Sequence, residues 1–301
     1  MSFLRAGILL VVVSLSTQAQ PPQLSTSLVG SEFTYTVQRG DSLARVGARF
    51  GVDAAVLAAL NGLKPRALLK PGQKLLVDNR HIVPAGVADG ILINIPQRML
   101  FFFKNGELAG HYPVAVGRPD WQTLIGNFRV LSKEKDKVWI VPKSIQEEMR
   151  RQGKPVKKRV PPGPENPLGK YWIRVTPDCG IHGTIFPASI YTFQTHGCVR
   201  LLPDDIHALY EQVAVGTPIA IIYEPVLLAR LPDDAVLLEV HPDVYQRAED
   251  PATTVELAAA TGNVPRSVLD WNRVKAVIEE ERGFAQEVGV RAPSGTPAKA
   301  E

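Results

Sequence analysis

After a short apolar run at its start, the chain passes through three textures of apolar and polar residues. From 33 to 79, FTYTVQRGDSLARVGARFGVDAAVLAALNGLKPRALLKPGQKLLVDN, the stretch Thr34 to Gln38 predicts a strand. Asp41 or Ser42 then caps a short helix running to Phe50, and Gly51 suits its C-terminal turn. Asp53 caps a second helix, Ala54 to Leu60, which stops at Asn61-Gly62 before a closing strand, Lys74 to Val77. From 90 to 224, apolar stretches broken by Asn-Gly and glycine turns, as in ILINIPQRMLFFFKNGELAGHYPVAVG, read as hairpins. LIGNFRVLSK, KYWIRVT and PIAIIYEP continue that strand pattern. Two helices interrupt it. Ser144 and Glu147 form a capping box opening the first, and Asp204 through Val213 sets Ile206, Leu209, Tyr210 and Val213 on one face of the second. Residues 161–169, PPGPENPLG, read as a rigid irregular loop. The third texture, 225–288, holds AVLLEVHPDVY as a strand. Two helices follow, one near Val255–Thr261 and one from Arg266 or Ser267 to about Gln286. The fold class is therefore α+β, mainly β.

The ends place the chain. MSFLRAGILLVVVSLSTQAQ sets a short apolar run behind a single basic residue, Arg5, with Thr17 and Ala19 as small residues before a cleavage point. This is the pattern of a secretory signal peptide, 1–19, and the run is short of the roughly 20 apolar residues that span a bilayer. Residues 20–32, polar with two prolines, read as a linker, and 289–301 as a disordered tail. An exported protein with no membrane span after cleavage is expected in the periplasm or beyond, where nucleic acid is not a partner. The net charge of +4 is concentrated in KEKDK (133–137) and RRQGKPVKKR (150–159). Outside the cytoplasm such a patch suits a polyanionic wall or a carboxylate-bearing peptide, or is simply a solvated loop.

The candidate chemistry lies in IHGTIFPASIYTFQTHGCVRL, residues 181 to 201. Four readings fit the residue types. Cys198 can be a nucleophile, its pKa lowered from about 8.5 by the imidazole of His182 or His196. Gly183 and Gly197 would let a substrate approach the backbone closely. Cys179, His182, His196 and Cys198 are also ligand types for zinc, although their spacing does not resemble paired knuckles. Cys179 and Cys198 could instead close a disulfide in an oxidising compartment. Finally, the run could be ordinary strand packing.

Two resemblances decide among these. Tyr35-Thr36-Val37-Gln38-Arg39-Gly40-Asp41-Ser42-Leu43, Phe50-Gly51-Val52, Leu60-Asn61 and Leu69 to Leu75 resemble the LysM module, 33–79, which implies binding to the glycan of peptidoglycan. IHGT followed by HGCVRL, with TLIGNFRV, NPLGKYWI and VAVGTPIAI, resembles the L,D-transpeptidase catalytic domain, also called YkuD, over 90–224. The whole is similar to the LysM-bearing Gram-negative group that includes the enzymes attaching Braun lipoprotein.

This resemblance implies a β-sandwich catalytic domain with a C-terminal extension at 225–288. Cys198 is then the nucleophile, His182 the base, and the Gly183 carbonyl the partner of the other ring nitrogen of His182. Backbone amides of His196, Gly197 and Cys198 are expected to take the oxyanion. Thr195 and Arg200 are placed as further site residues, Arg200 on the strand face of Cys198. The implied reaction attacks the diaminopimelate carbonyl of a tetrapeptide stem, releases D-alanine and passes the acyl group to an amine. That amine belongs either to a lipoprotein lysine or to a second stem. No metal or organic cofactor is required. The resemblance gives Cys179 no role, and a free thiol is expected there. The alternatives are a catalytically inactive peptidoglycan-binding wall protein and an L,D-carboxypeptidase.

Overall fold

The structure is a computed structural model that describes residues 22–290; the expected signal peptide and all but the first two residues of the expected tail lie outside the described residues. In the N-terminal unit, strands Glu32–Thr36 and Lys74–Asp78 pair antiparallel, Glu32 opposite Asp78. Helices α1 (Leu43–Phe50) and α2 (Ala54–Leu60) pack on them, with Val37, Leu43, Val46, Leu57, Leu75 and Val77 in the core. The capping signals act as the residues dictate. Ser42 accepts from the Arg45 amide, Asp53 from the Ala55 amide, and Gly51 closes α1 at a left-handed φ of 73° that suits glycine. The Asn61 side chain ties the end of α2 to the closing strand, donating to the carbonyls of Leu57 and Leu76 and accepting from the Leu76 amide.

The central body is a sandwich of two sheets. One has five strands, in the order Glu107–Pro113, Met99–Lys104, Gly90–Asn94, Pro218–Ile222 and Gly126–Arg129. The other has four, in the order Ser132–Lys135, Tyr171–Arg174, Gly180–His182 and Val199–Arg200. Ile91, Ile93 and Ile219 from the first sheet meet Ile173, Ile181 and Val199 from the second, closed at one side by Ile206 and Leu209 of α4 (Pro203–Gln212). The outer face of strand Gly90–Asn94 is covered as well, Leu92 packing with Phe101, Tyr191 and Ala48 of α1. Burial on both faces is why this stretch reads as an unbroken apolar run rather than an alternating one. Helix α3 (Lys143–Arg151) stands on the insertion between strands Ser132–Lys135 and Tyr171–Arg174. Among the described residues no helix is long and apolar enough to cross a membrane.

The C-terminal extension forms a three-stranded sheet, Val226–Arg230, Val236–Val240 and Gln286–Glu287. It is covered by α5 (Pro251–Thr261) and α6 (Trp271–Glu280) around Leu228, Leu238, Val255 and Val274.

Three local expectations are corrected. Residues 22–31 are not a free linker. Leu28–Val29 pairs with His81–Ile82, and the buried Ser25 hydroxyl donates to the Val83 carbonyl at 2.6 Å, because Leu24, Leu28 and Val29 carry enough apolar surface to dock. The Ser144–Glu147 capping box does not form. Helix α3 begins one residue earlier, at Lys143 after Pro142, with no side-chain cap. The long final helix is broken: Pro265 leads a short 3-10 turn, Arg266–Val268, and Asp270 caps a new helix by accepting from the amides of Asn272 and Arg273. Glu281, at a left-handed φ of 44°, ends α6.

A buried polar knot joins the three units. The Glu239 carboxylate accepts from His81 Nδ1 and His241 Nε2, each at 2.7 Å, from Gln97 Nε2 at 3.0 Å and from the Ile82 amide. His81 Nε2 donates to the Gly51 carbonyl at 2.9 Å, which links the knot to the N-terminal unit. Burial pushes the Glu239 carboxyl up, but the charge of His81 and the hydrogen bonds of both imidazoles outweigh it and bring it down to about 2. Its pKa is depressed on folding, so the stability it contributes is present above the ordinary carboxylate range and lost as pH falls toward that value. Replacing Glu239 by Ala strands two buried imidazoles, and a loss of about 3 kcal/mol or more is expected in a denaturant titration at neutral pH. A loss under about 1 kcal/mol would show that the knot is not holding the units together.

Candidate active site

Strand Gly180–His182 lies between an antiparallel neighbour, Tyr171–Arg174, and a parallel one, Val199–Arg200. The parallel register sets Ile181 beside Val199 and His182 beside Arg200, so Cys198 arrives next to the start of the histidine's strand. His182 is buried, with Trp172 stacked on its ring at 5.5 Å. Its Nδ1 donates to the Gly183 carbonyl at 2.6 Å, which leaves Nε2 as the basic nitrogen of the ring.

Cys179 and Cys198 are both free thiols and both half-buried. The Cys198 thiol is held well below its ordinary pKa, and the largest cause is a hydrogen bond from Cys179. Burial opposes it, while the hydrogen bond and charge of His182 and the Gly180 backbone add to it. A thiolate in a partly buried pocket beside an imidazole is the electronic condition for nucleophilic attack on a carbonyl.

The loop before the cysteine is wound tightly. The Thr195 hydroxyl donates to the Cys198 carbonyl at 2.5 Å and accepts from the Gly197 amide at 3.2 Å. The Gly197 amide, one of the three expected oxyanion donors, is hydrogen-bonded to the Thr195 hydroxyl in this structure. Gly197 itself has a φ of 97°, and a Cβ there would lie 3.4 Å from the Gln122 carbonyl and 3.5 Å from Cys179 Sγ. Those are ordinary contact distances, so it is the left-handed φ that favours glycine here.

His196 does not join the other three in a metal quartet. Its Nε2 donates to Glu148 Oε2 at 2.5 Å, Glu148 also accepts from Arg118 at 3.1 Å, and Trp121 lies edge-on to its ring at 4.9 Å. Those two hydrogen bonds hold the Glu148 carboxyl below its ordinary range. Arg200 lies within electrostatic reach of Cys198, its guanidinium drawn down by burial and its buried Nε without a hydrogen-bond partner among the described residues. Glu148, Arg118 and Trp121 carry no motif of their own, and only the fold brings them to His196.

Beside this site, the insertion and the loop after His182 enclose a cleft of about 620 Å³, lined by Trp139, Glu148, Met149, Phe186 and His196, with Lys154 and Lys157 at its wall. Residues 88–221 match the YkuD family, the L,D-transpeptidase catalytic domain, and residues 35–78 match the LysM domain. The chain is 31% identical over 224 residues to the probable L,D-transpeptidase YbiS of Escherichia coli strain K12, covering 73% of each. The chain belongs to the L,D-transpeptidase family. It is a transpeptidase bearing a LysM module. To the probable L,D-transpeptidase ErfK/SrfK of Salmonella typhimurium it is 28% identical over 282 residues, 91% of both chains. To the putatively assigned L,D-transpeptidase YkuD of Bacillus subtilis it is 27% identical over 192 residues, 62% of this chain and 98% of that one.

The Glu148 carboxylate fastens α3 of the insertion to the loop that carries His196 and Cys198. Replacing it by Ala is expected to slow acylation of this L,D-transpeptidase about tenfold, the loss of charge-assisted hydrogen bonds, and to open 143–151 to limited proteolysis. Unchanged acylation and unchanged cleavage would show that α3 is held by other contacts.

Proposed function

We propose that this protein is a periplasmic cysteine L,D-transpeptidase that builds an acyl-enzyme on Cys198. One observation carries the reading: a buried His182 ring, one nitrogen pinned to the Gly183 carbonyl at 2.6 Å, stands beside a Cys198 thiol that it helps to hold below its ordinary pKa. Pinning Nδ1–H fixes the tautomer, so Nε2 is the basic nitrogen that takes the thiol proton.

The steps follow from that assignment. The Cys198 thiolate attacks the carbonyl of diaminopimelate in a tetrapeptide stem, and the amides of His196 and Cys198 receive the developing oxyanion. Collapse breaks the C–N bond, and D-alanine leaves with the proton carried by His182. The thioester is then attacked by a primary amine, which gives its proton to His182 as the thiolate is expelled. Dividing one amide exchange into two acyl transfers lowers each barrier. Arg200, within electrostatic reach of Cys198, is assigned the role of orienting the donor.

The LysM module tethers the enzyme to wall glycan, and the cleft under α3 receives the stem. Lys154 and Lys157 on the cleft wall suit the carboxylates of that peptide. The acceptor we favour is a lysine of an outer-membrane lipoprotein, in line with the group resemblance and the end-to-end match to ErfK/SrfK. Muropeptides from cells with and without the gene distinguish this from a 3→3 cross-link between stems, which would appear as lost dimers rather than lost lipoprotein adducts.

Incubation with a carbapenem, read by intact mass, tests the nucleophile. The wild type should gain one adduct, whereas Cys198→Ala and His182→Ala should gain none. An equal adduct on Cys198→Ala would favour a wall-binding protein without this chemistry. Replacing Lys154 and Lys157 by Ala is expected to raise the KM for the stem donor several-fold with kcat little changed, the mark of lost uniform binding. An unchanged KM would remove the lysines from donor recognition.

A further inference from the structure

One tight turn of the C-terminal extension, residues 242–248, packs against the catalytic sandwich and has no part in the reaction as drawn. Asp243 organises it. Its carboxylate accepts from the amides of Arg247 at 3.0 Å and Ala248 at 2.9 Å, and from the Tyr223 hydroxyl at 2.6 Å. The Tyr223 hydroxyl in turn accepts from the Tyr245 amide at 2.8 Å, and the two rings stack at 5.3 Å. Tyr245 is thereby buried in the sandwich core, with Phe193 edge-on at 6.0 Å. Its hydroxyl donates to the Gly117 carbonyl at 2.6 Å and accepts from the Thr123 amide at 3.2 Å. Gly117 and Thr123 are the two ends of a loop, 117–123. The Thr123 hydroxyl closes the same neck by accepting from the Gly117 amide at 2.8 Å. Farther along, Arg247 donates to Gln122 Oε1 through two nitrogens, at 2.7 and 3.0 Å.

The loop held by this neck lies against the turn that carries Cys198. The Arg118 amide donates to the Thr195 carbonyl at 3.1 Å, and Trp121 lies edge-on to His196 at 4.9 Å. The Gln122 carbonyl stands 3.4 Å from where a Gly197 side chain would begin. The three residues before Cys198 thus each face the loop. We propose that Tyr245 is a positioning residue for acyl transfer: its hydroxyl, bonded to both ends of loop 117–123, fixes that loop against Thr195, His196 and Gly197 and so sets where Cys198 attacks. The inference rests on Cys198 being the nucleophile.

A single hydroxyl carries this weight because both of its bonds are buried. Without it, a carbonyl and an amide lose a partner in the interior, a larger cost than the net worth of either bond. The loop then has to shift to recover them. The packing does not depend on the oxygen. The Tyr245 ring sits between Tyr223 and Phe193, and a phenylalanine there keeps the same ring in the same place. The hydroxyl is therefore separable from the core around it. Misplacing reacting atoms by about 1 Å costs on the order of a hundredfold in rate, so even a partial shift of the turn shows first in the chemical step. The extension, by this account, does more than cover the sandwich: it shapes the site through one side chain.

The experiment is the rate of carbapenem acylation of the full chain, followed by intact mass across a range of carbapenem concentrations. Tyr245→Phe should lower the limiting rate about tenfold and leave the half-saturating concentration within about twofold, the pattern of an interaction that serves the chemical step. Trp121→Ala, which removes the loop's ring contact with His196, should slow the same step. The double variant should then lose less than the product of the two single effects, because both act through one loop. A merely structural role would lower the thermal midpoint and leave the limiting rate of the folded protein unchanged. That outcome overturns the proposal, and so do two effects that multiply in full. Should Tyr245→Phe not fold, Arg247→Ala takes its place, at an exposed contact with the same loop. Its limiting rate should fall about threefold, and an unchanged rate there overturns the proposal equally. A wild type that takes no adduct on Cys198 would sink the acyl-transfer reading instead, so the two failures are distinct.

Discussion

The site depends on one parallel strand contact. Strand Val199–Arg200 runs in the same direction as Gly180–His182, with His182 beside Arg200. An antiparallel partner would carry the chain past the histidine the other way, and Cys198 would meet a different residue. The connection between the two strands is short and irregular. It contains a 3-10 turn at Pro187–Ser189 and a brief strand, Phe193–Thr195, that joins Val116–Gly117 in parallel. That second parallel pairing fixes where the loop returns, and the Thr195 hydroxyl, bonded to the Cys198 carbonyl and the Gly197 amide, fixes how it turns. Placement of sulfur beside imidazole is thus a consequence of sheet register, with the loop chemistry setting the last few ångströms.

Electrostatics then converts placement into reactivity. The Gly183 carbonyl orients one nitrogen of His182 and leaves the other basic, a role a carboxylate fills in many other sites. A neutral carbonyl fixes the tautomer without adding negative charge beside a thiolate. Around this pair the units are arranged with different degrees of commitment. Glu239 and its two histidines lock the LysM module and the extension to the sandwich from the inside, among fully buried groups. Glu148 fastens the insertion from the surface side, at groups about one-fifth exposed. The first arrangement suits a fixed frame, and the second a cover over the cleft proposed to receive the stem.

Local structure was legible where short-range chemistry decides it. Ser42, Gly51 and Asp53 bound the two LysM helices because each acts within one turn of itself. Ile206, Leu209 and Tyr210 show the buried face of α4 through spacing alone. The expected final helix from Arg266 or Ser267 to about Gln286 is divided because Asp270 caps a new start within it and Glu281 ends it, local backbone effects that outweigh periodicity. Residues 22–31 look like a linker by composition, and their docking is set by partners as distant as Val83 and Ala229. The same division holds at the site. His182, Gly183 and Cys198 stand in a recognisable motif, whereas Glu148 reaches His196 across 48 positions, brought there by the fold alone.

The most direct test of the account is to mix the purified enzyme with a disaccharide–tetrapeptide and no amine acceptor, then follow free D-alanine and intact mass together. The account predicts one equivalent of D-alanine and a protein heavier by the stem less that residue, with the added mass on Cys198. D-alanine released without any adduct from the Cys198→Ala variant at the wild-type rate would contradict it.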